Sequence, residues 1–185
     1  MFAFRRILVS VAFLVCLGTF ALAQQQDEIA ASRVFGPRWK VLAHASGMVF
    51  AGKVLEVETL PATGEQTIPM IQLKFRVEHA IAGVQPGRVV TIREWAGAWT
   101  THRAMRPGQH MLLFFYPPSG LGLTSPVGGP LGQIELDPSG NNPVPTRQVG
   151  ANRGSYHVAP PLGTVRQASI NWRQLQRAIQ SAREE

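Results

Sequence analysis

Cysteine is almost missing from this sequence. The 185-residue chain has a single one, Cys16, and it lies inside an apolar N-terminal run. If that run is removed, no disulfide, thiol nucleophile or thiolate metal site remains, and the folded protein is held by its apolar core. Acidic residues are also few: 11 Asp and Glu stand against 18 Lys and Arg, for a formal charge of +7. Catalytic signatures are lacking too. Ser125 and Ser155 have no Gly-x-Ser-x-Gly setting, there is no His-Glu-x-x-His, and no glycine loop ends in the lysine that cradles phosphate. The expectation is a non-enzymatic protein with no catalytic residue, no cofactor and no metal site. Long apolar runs are absent as well. The longest, Ile7 to Ala21, falls short of the roughly 20 residues that cross a bilayer as a helix.

That run is instead the apolar part of an export signal. Arg5 and Arg6 precede it without an acidic residue, and Ala21-Leu22-Ala23 places small side chains where signal peptidase needs them. The polar stretch Gln24-Gln25-Gln26-Asp27-Glu28 comes next. Cleavage is expected after Ala23, with 1–23 as signal peptide and the general secretory route as its path. The mature protein is then periplasmic or extracellular, with no permanent membrane span. Val15 before Cys16 is too large for a lipoprotein site, and the strong apolar run argues against twin-arginine export. Losing Arg5 and Arg6 lowers the formal charge from +7 to +5. Much of the surplus sits late, at Arg147, Arg153, Arg166, Arg173, Arg177 and Arg183. Such charge is either a solvated face or a contact for an acidic surface.

Five regions succeed one another along the chain, the signal peptide being the first. Residues 24–47 form an N-terminal segment with a short helix, since Trp39, Leu42 and Ala43 share a face at helical spacing and Gly47 stops it. Residues 48–137 read as strands. MVFAGKVLEVE (48–58) is rich in β-formers, with Gly52 as a bulge or bend. In 70–78, Ile71, Leu73, Phe75 and Val77 alternate with polar residues at the two-residue period of a half-buried strand. RVVTIREW (88–95) alternates again after the Pro86-Gly87 turn. HMLLFFY (110–116), after Pro107-Gly108, is apolar on both faces and therefore central. GQIELD (132–137) is a short fifth strand. Residues 138–168 read as a Pro/Gly-rich loop or arm. Residues 169–185 form a C-terminal amphipathic helix, with Trp172, Leu175, Ala178, Ile179 and Ala182 on its stripe and Ser169 or Asn171 as cap. The fold class is mainly β: a five-stranded antiparallel barrel, closed or partly open, with the terminal helix packed on it. A β-sandwich is the alternative.

The succession MVFAGKVLEVE, IQLKFRVEHAIAGVQPGRVVTI, RPGQHMLLFFYPP and GLTSPVGGPLGQIEL resembles bacterial secreted netrin-like domains. These are OB-like barrels related in structure to the tissue inhibitors of metalloproteinases, and the resemblance covers about residues 44–137. It implies an OB-like β-barrel whose role is binding. Those inhibitors reach zinc through an N-terminal cysteine, which this chain, starting at Gln24 after cleavage, does not have. No inhibitory residue carries over.

The most suggestive surface is Trp95 and Trp99 around Ala96-Gly97-Ala98, with Arg93, Glu94, His102, Arg103 and Arg106 nearby. Aromatic and arginine side chains dominate protein contact sites, and indoles also stack on sugars. The structural alternative is that one or both indoles cap the barrel. The candidate binding surface is therefore Arg93, Trp95, Trp99, His102, Arg103 and Arg106. Leu121 to Gly132 is either a presented loop or a connection. His102 and His110, flanking Pro107-Gly108, are read as surface residues, and Glu78 and His79 point to opposite faces of one strand. The function expected is contact with a protein partner outside the cytoplasm. Alternatives are binding of an anionic polysaccharide or other glycan, and an unrecognised hydrolase. Nucleic acid is an unlikely partner for an exported chain.

Overall fold

The computed structural model describes residues 24–62, 68–99, 105–141 and 170–185. The expected signal peptide and nearly all of the expected arm, from 142 on, lie outside them. The chain divides into two compact units.

The larger unit, Ala45–Ile170, holds one sheet. Its strands are β1 (Met48–Leu60), β2 (Met70–Ala82), β3 (Val89–Trp95), β4 (His110–Phe115) and β5 (Gln133–Leu136). All neighbours are antiparallel, in the order β3-β2-β1-β4-β5. The alternating sequence of β2 makes the core directly. Ile71, Leu73, Phe75 and Val77 are buried while Arg76 and Glu78 face solvent. They join Phe50, Val54, Ile92, Met105, Met111, Leu113 and Phe115 in one apolar cluster. Phe50 stands edge-on to Phe75 at 5.6 Å and stacks with Phe115 at 6.2 Å. Such aromatic pairs add about 1 kcal/mol each beyond the area they bury. β4 is buried on both faces from Met111 to Phe115, as a central strand requires.

Gly52 bends β1 where the sequence indicated. The β1–β2 register slips between Ala51 and Gly52, and a Cβ at Gly52 would collide with the Arg76 carbonyl oxygen. Only glycine lets the two backbones come this close. Gly87 and Gly108, after Pro86 and Pro107, have positive φ of 75° and 92°.

The described strands form one antiparallel five-stranded sheet that is not closed by a continuous ladder. β3 and β5 are its two edges. β5 has only four residues, all paired to β4. Among the described residues, the β4–β5 connection reaches β3. Leu123 makes a parallel bridge to Arg93, the Thr124 N–H donates to the Arg93 carbonyl at 2.9 Å, and Pro126 bridges Phe115. Isolated bridges, not a continuous ladder, tie this connection to β3 and to the end of β4. Among the described residues the strands make one sheet, not the two of a β-sandwich.

The smaller unit joins the described residues up to His44 to Asn171–Glu185. It contains α1 (residues 24–35), α2 (Trp39–Ala45, ending at the unit boundary), and α4 (Trp172–Glu184). The sequence anticipates α2 and α4 but gives no apolar pattern for 24–35. Its polar stretch at 24–28 hides a helix that buries Ala31 and makes ion pairs through Asp27 and Glu28. Arg177 of α4 donates twice to Asp27, at 2.8 and 3.0 Å, and Lys40 of α2 pairs with Glu28 and Glu185. Asn171 caps α4 by accepting from the Gln174 N–H, leaving Leu175, Ala178, Ile179 and Ala182 as its buried stripe. By its contacts α4 is grouped with the smaller unit. No helix among the described residues is long and apolar enough to cross a membrane.

Candidate functional site

The outward face of β1, β2 and β3 is set by their register. Glu58, Gln72 and Arg93 stand in one row, Glu56, Lys74 and Thr91 in the next, and Leu60, Met70 and Trp95 at the end. In the first row Arg93 Nε donates to Gln72 Oε1 at 3.3 Å, and Gln72 Nε2 donates to Glu58 at 3.3 Å. In the second, Lys74 Nζ pairs with Glu56 at 2.7 Å. Both acids of these rows are thus held on β1. Toward β3 the exposed charges are positive: Arg76, Arg88 and Arg93.

Trp95 ends this face, half exposed at 54%. Its ring is fixed by the turn that comes directly after it in the chain. The Ala96-Gly97-Ala98 stretch belongs to a single helical turn, α3 (Ala96–Trp99). A Cβ on Gly97 would come within 2.8 Å of the indole, so the ring lies directly on the Gly97 backbone. The Ala96 N–H donates to the Pro69 carbonyl at 3.0 Å and anchors the turn beside β2. Trp95 therefore presents a positioned aromatic surface instead of closing the core.

Arg93 and Trp95 are brought together, on alternate residues of one strand face. The side chain of Trp99, and His102 and Arg103 entirely, lie outside the described residues. Arg106 is placed elsewhere. It sits exposed in the turn before β4, where the Gly108 N–H donates to the Val54 carbonyl. Val54 shares a row with Phe75 and Val90, five residues along β3 from Trp95. At about 3.3 Å per residue that is roughly 16 Å along the sheet, so Arg106 does not adjoin Trp95.

Glu94 is the residue whose importance the sequence underplayed. It occupies the core face of β3, opposite Ile71 and two residues from Ile92, and is 1% exposed. Burial pushes its carboxyl up to about 7, far above the usual carboxylate range. The two-residue alternation of RVVTIREW, which puts Val90, Ile92 and Glu94 on one face, was the signal available for this. This buried carboxyl lies on the core side of the strand whose outward face carries Arg93 and Trp95.

A second polar pair lies over β1. His110 of β4 meets Glu78 of β2 at 2.9 Å, across the strand that separates them. The turn after β5 seats against it: a Cβ on Gly140 (φ 72°) would approach His110 Nδ1 to 3.1 Å. Glu78 and His110 thus tie β2 to β4, while His79 points the other way and is half-buried, its pKa lowered by burial. No three His, Cys, Asp or Glu side chains among the described residues gather as a metal-ligating group.

No family model, curated protein or solved structure matches the chain. Its function has to be argued from the surface just described.

Proposed function

We propose that this chain is an exported, non-enzymatic binding domain that contacts a protein partner in the periplasm or extracellular space through the outward face of β3. The single observation that carries the reading is Trp95, half exposed yet held rigidly on Gly97, with Arg93 two residues away. Rigid aromatics beside arginine supply large contact area at little cost in side-chain entropy, and they dominate binding energy in protein interfaces. The signal-like N-terminus supports the compartment. The strand order, together with the Leu123–Arg93 bridge, supports an OB-like barrel of netrin type, completed by the β4–β5 connection rather than by β5.

Affinity capture from an envelope fraction, using the protein isolated after export, tests this. The wild-type chain should retain a partner that an Arg93→Ala, Trp95→Ala variant loses while keeping its melting temperature. A variant that captures the same partners in the same amounts sinks the proposal. A second reading, binding of an anionic glycan, is favoured by the cations Lys53, Arg76, Arg88 and Arg93, for which no acidic partner occurs among the described residues. It predicts retention on a sulfated polysaccharide column that falls steeply as salt rises.

A further inference from the structure

Edge strands normally carry protection against pairing with foreign chains: a lysine, a proline, a bulge, or simply shortness. β5 fits that rule, with four residues closely preceded by Pro130. β3 does not. It runs seven residues, VVTIREW, without lysine or proline, and its register with β2 is continuous from Val89 to Trp95.

The direction of its outer backbone groups is given by one hydrogen bond. The Arg93 carbonyl accepts from the Thr124 N–H, so Arg93 turns its peptide groups away from β2. In an antiparallel pair these directions alternate. Val89 and Thr91 therefore turn theirs outward too, as the inward bond from the Val77 N–H to the Arg88 carbonyl confirms from the other parity. No backbone bond from Val89 or Thr91 across this edge occurs among the described residues. Both side chains are exposed, Val89 at 54%. The connection that reaches Arg93 curls away at once, through the Gly122 N–H to the Ser119 carbonyl, leaving Leu121 at 83% exposure.

We infer that the edge of β3 from Val89 to Arg93 accepts an extended, acidic segment of a partner protein as an added strand. This rests on the protein-binding reading above and names the partner's chemistry. Main-chain bonds to Val89 and Thr91 supply affinity, as in other cases of strand addition. Alternate apolar side chains of the segment cover Val89 and reach toward Leu121. The charge is chosen by Arg88 and Arg93, exposed at the two ends of this stretch. The acid of β3, Glu94, is buried on the opposite face. A second copy of the chain, which in antiparallel pairing about Thr91 would set Arg93 opposite Val89 and Arg88 opposite Glu94, is the competing occupant that the experiment must exclude.

The probe is a synthetic decapeptide alternating glutamate and valine, titrated into the purified protein. Binding should be measurable, should weaken as salt rises, and should protect the Thr91 amide from hydrogen exchange. Thr91→Pro removes an outward N–H and no bond to β2, so the fold survives while affinity drops by about tenfold or more. The peptide N-methylated at alternate residues, which leaves the protein untouched, should lose binding to the same extent. Equal affinity for a lysine–valine peptide, indifference to N-methylation, or no binding at millimolar peptide overturns the inference. So does a Thr91→Pro-sensitive dimer seen by ultracentrifugation without peptide. Loss of partner capture in Arg93→Ala, Trp95→Ala with unchanged peptide binding to Thr91→Pro would refute strand addition while leaving the binding surface standing.

Discussion

Glu94 makes the stability of this protein depend on pH in an unusual direction. Its carboxyl is 1% exposed, and burial moves it from 4.5 to about 7. The folded state therefore holds a proton that the unfolded state releases at lower pH. By linkage, stability falls wherever the folded state binds more protons. The contribution is fully favourable below the unfolded value, declines as pH rises through the interval between the two, and is flat above the folded one. One pKa unit corresponds to about 1.4 kcal/mol, so the whole effect is about 3 kcal/mol, of which roughly 2.5 falls between about pH 5 and pH 8. Glu94→Gln keeps the shape and removes the titration. Urea unfolding across that range should show the wild-type midpoint dropping by about 1–2 M as pH rises, given a slope of about 1–3 kcal/mol per molar. The Glu94→Gln midpoint should stay nearly level and exceed the wild type's at the alkaline end. Parallel pH profiles for the two proteins would refute the reasoning. They would mean that Glu94 is ionised in the fold without cost.

Other substitutions test the architecture. Gly52→Ala drives a Cβ into the Arg76 carbonyl and should destabilise by about 1–3 kcal/mol in chemical denaturation, with β1–β2 amides losing exchange protection. Phe75→Ala opens the centre of the aromatic cluster and should cost about 3–5 kcal/mol in the same assay. Gly87 and Gly140 share positive φ, at 75° and 72°, but only Gly140 has a side chain in its way. Gly87→Ala should cost about 1 kcal/mol by thermal melting and Gly140→Ala measurably more, because the His110–Glu78 pair must shift. Asn171→Ala removes the cap of α4 and should cost about 1 kcal/mol, visible as lost helical ellipticity.

The sequence alone determined the strands, because their signal is local. Period-two alternation in 70–78 and 88–95, the doubly apolar 110–116 and the glycine at 52 each reflect how one strand meets water or a neighbour, and β1 to β5 lie where that pattern puts them. Turn glycines at 87 and 108 were legible for the same reason, since φ is a property of one residue. Long-range closure was not. Whether five strands curl into a barrel depends on which edges meet, and no periodicity encodes the single bridge from Leu123 to Arg93. Residues 24–35 escaped notice because their apolar positions are few, and Asp27 and Glu28 find their partners Arg177 and Lys40 only when the helices assemble. The site divides in the same way. Arg93 and Trp95 stand together because alternate residues of a strand share a face, whereas Arg106 lies in the turn before β4, since nearness in sequence is not nearness across a sheet. Only the tertiary structure shows Trp95 resting on Gly97, Glu94 sealed in the core, and Val89 and Thr91 with no backbone bond across the outer edge of β3 among the described residues. Each of those depends on what stands opposite a residue, and that is settled when the strands assemble.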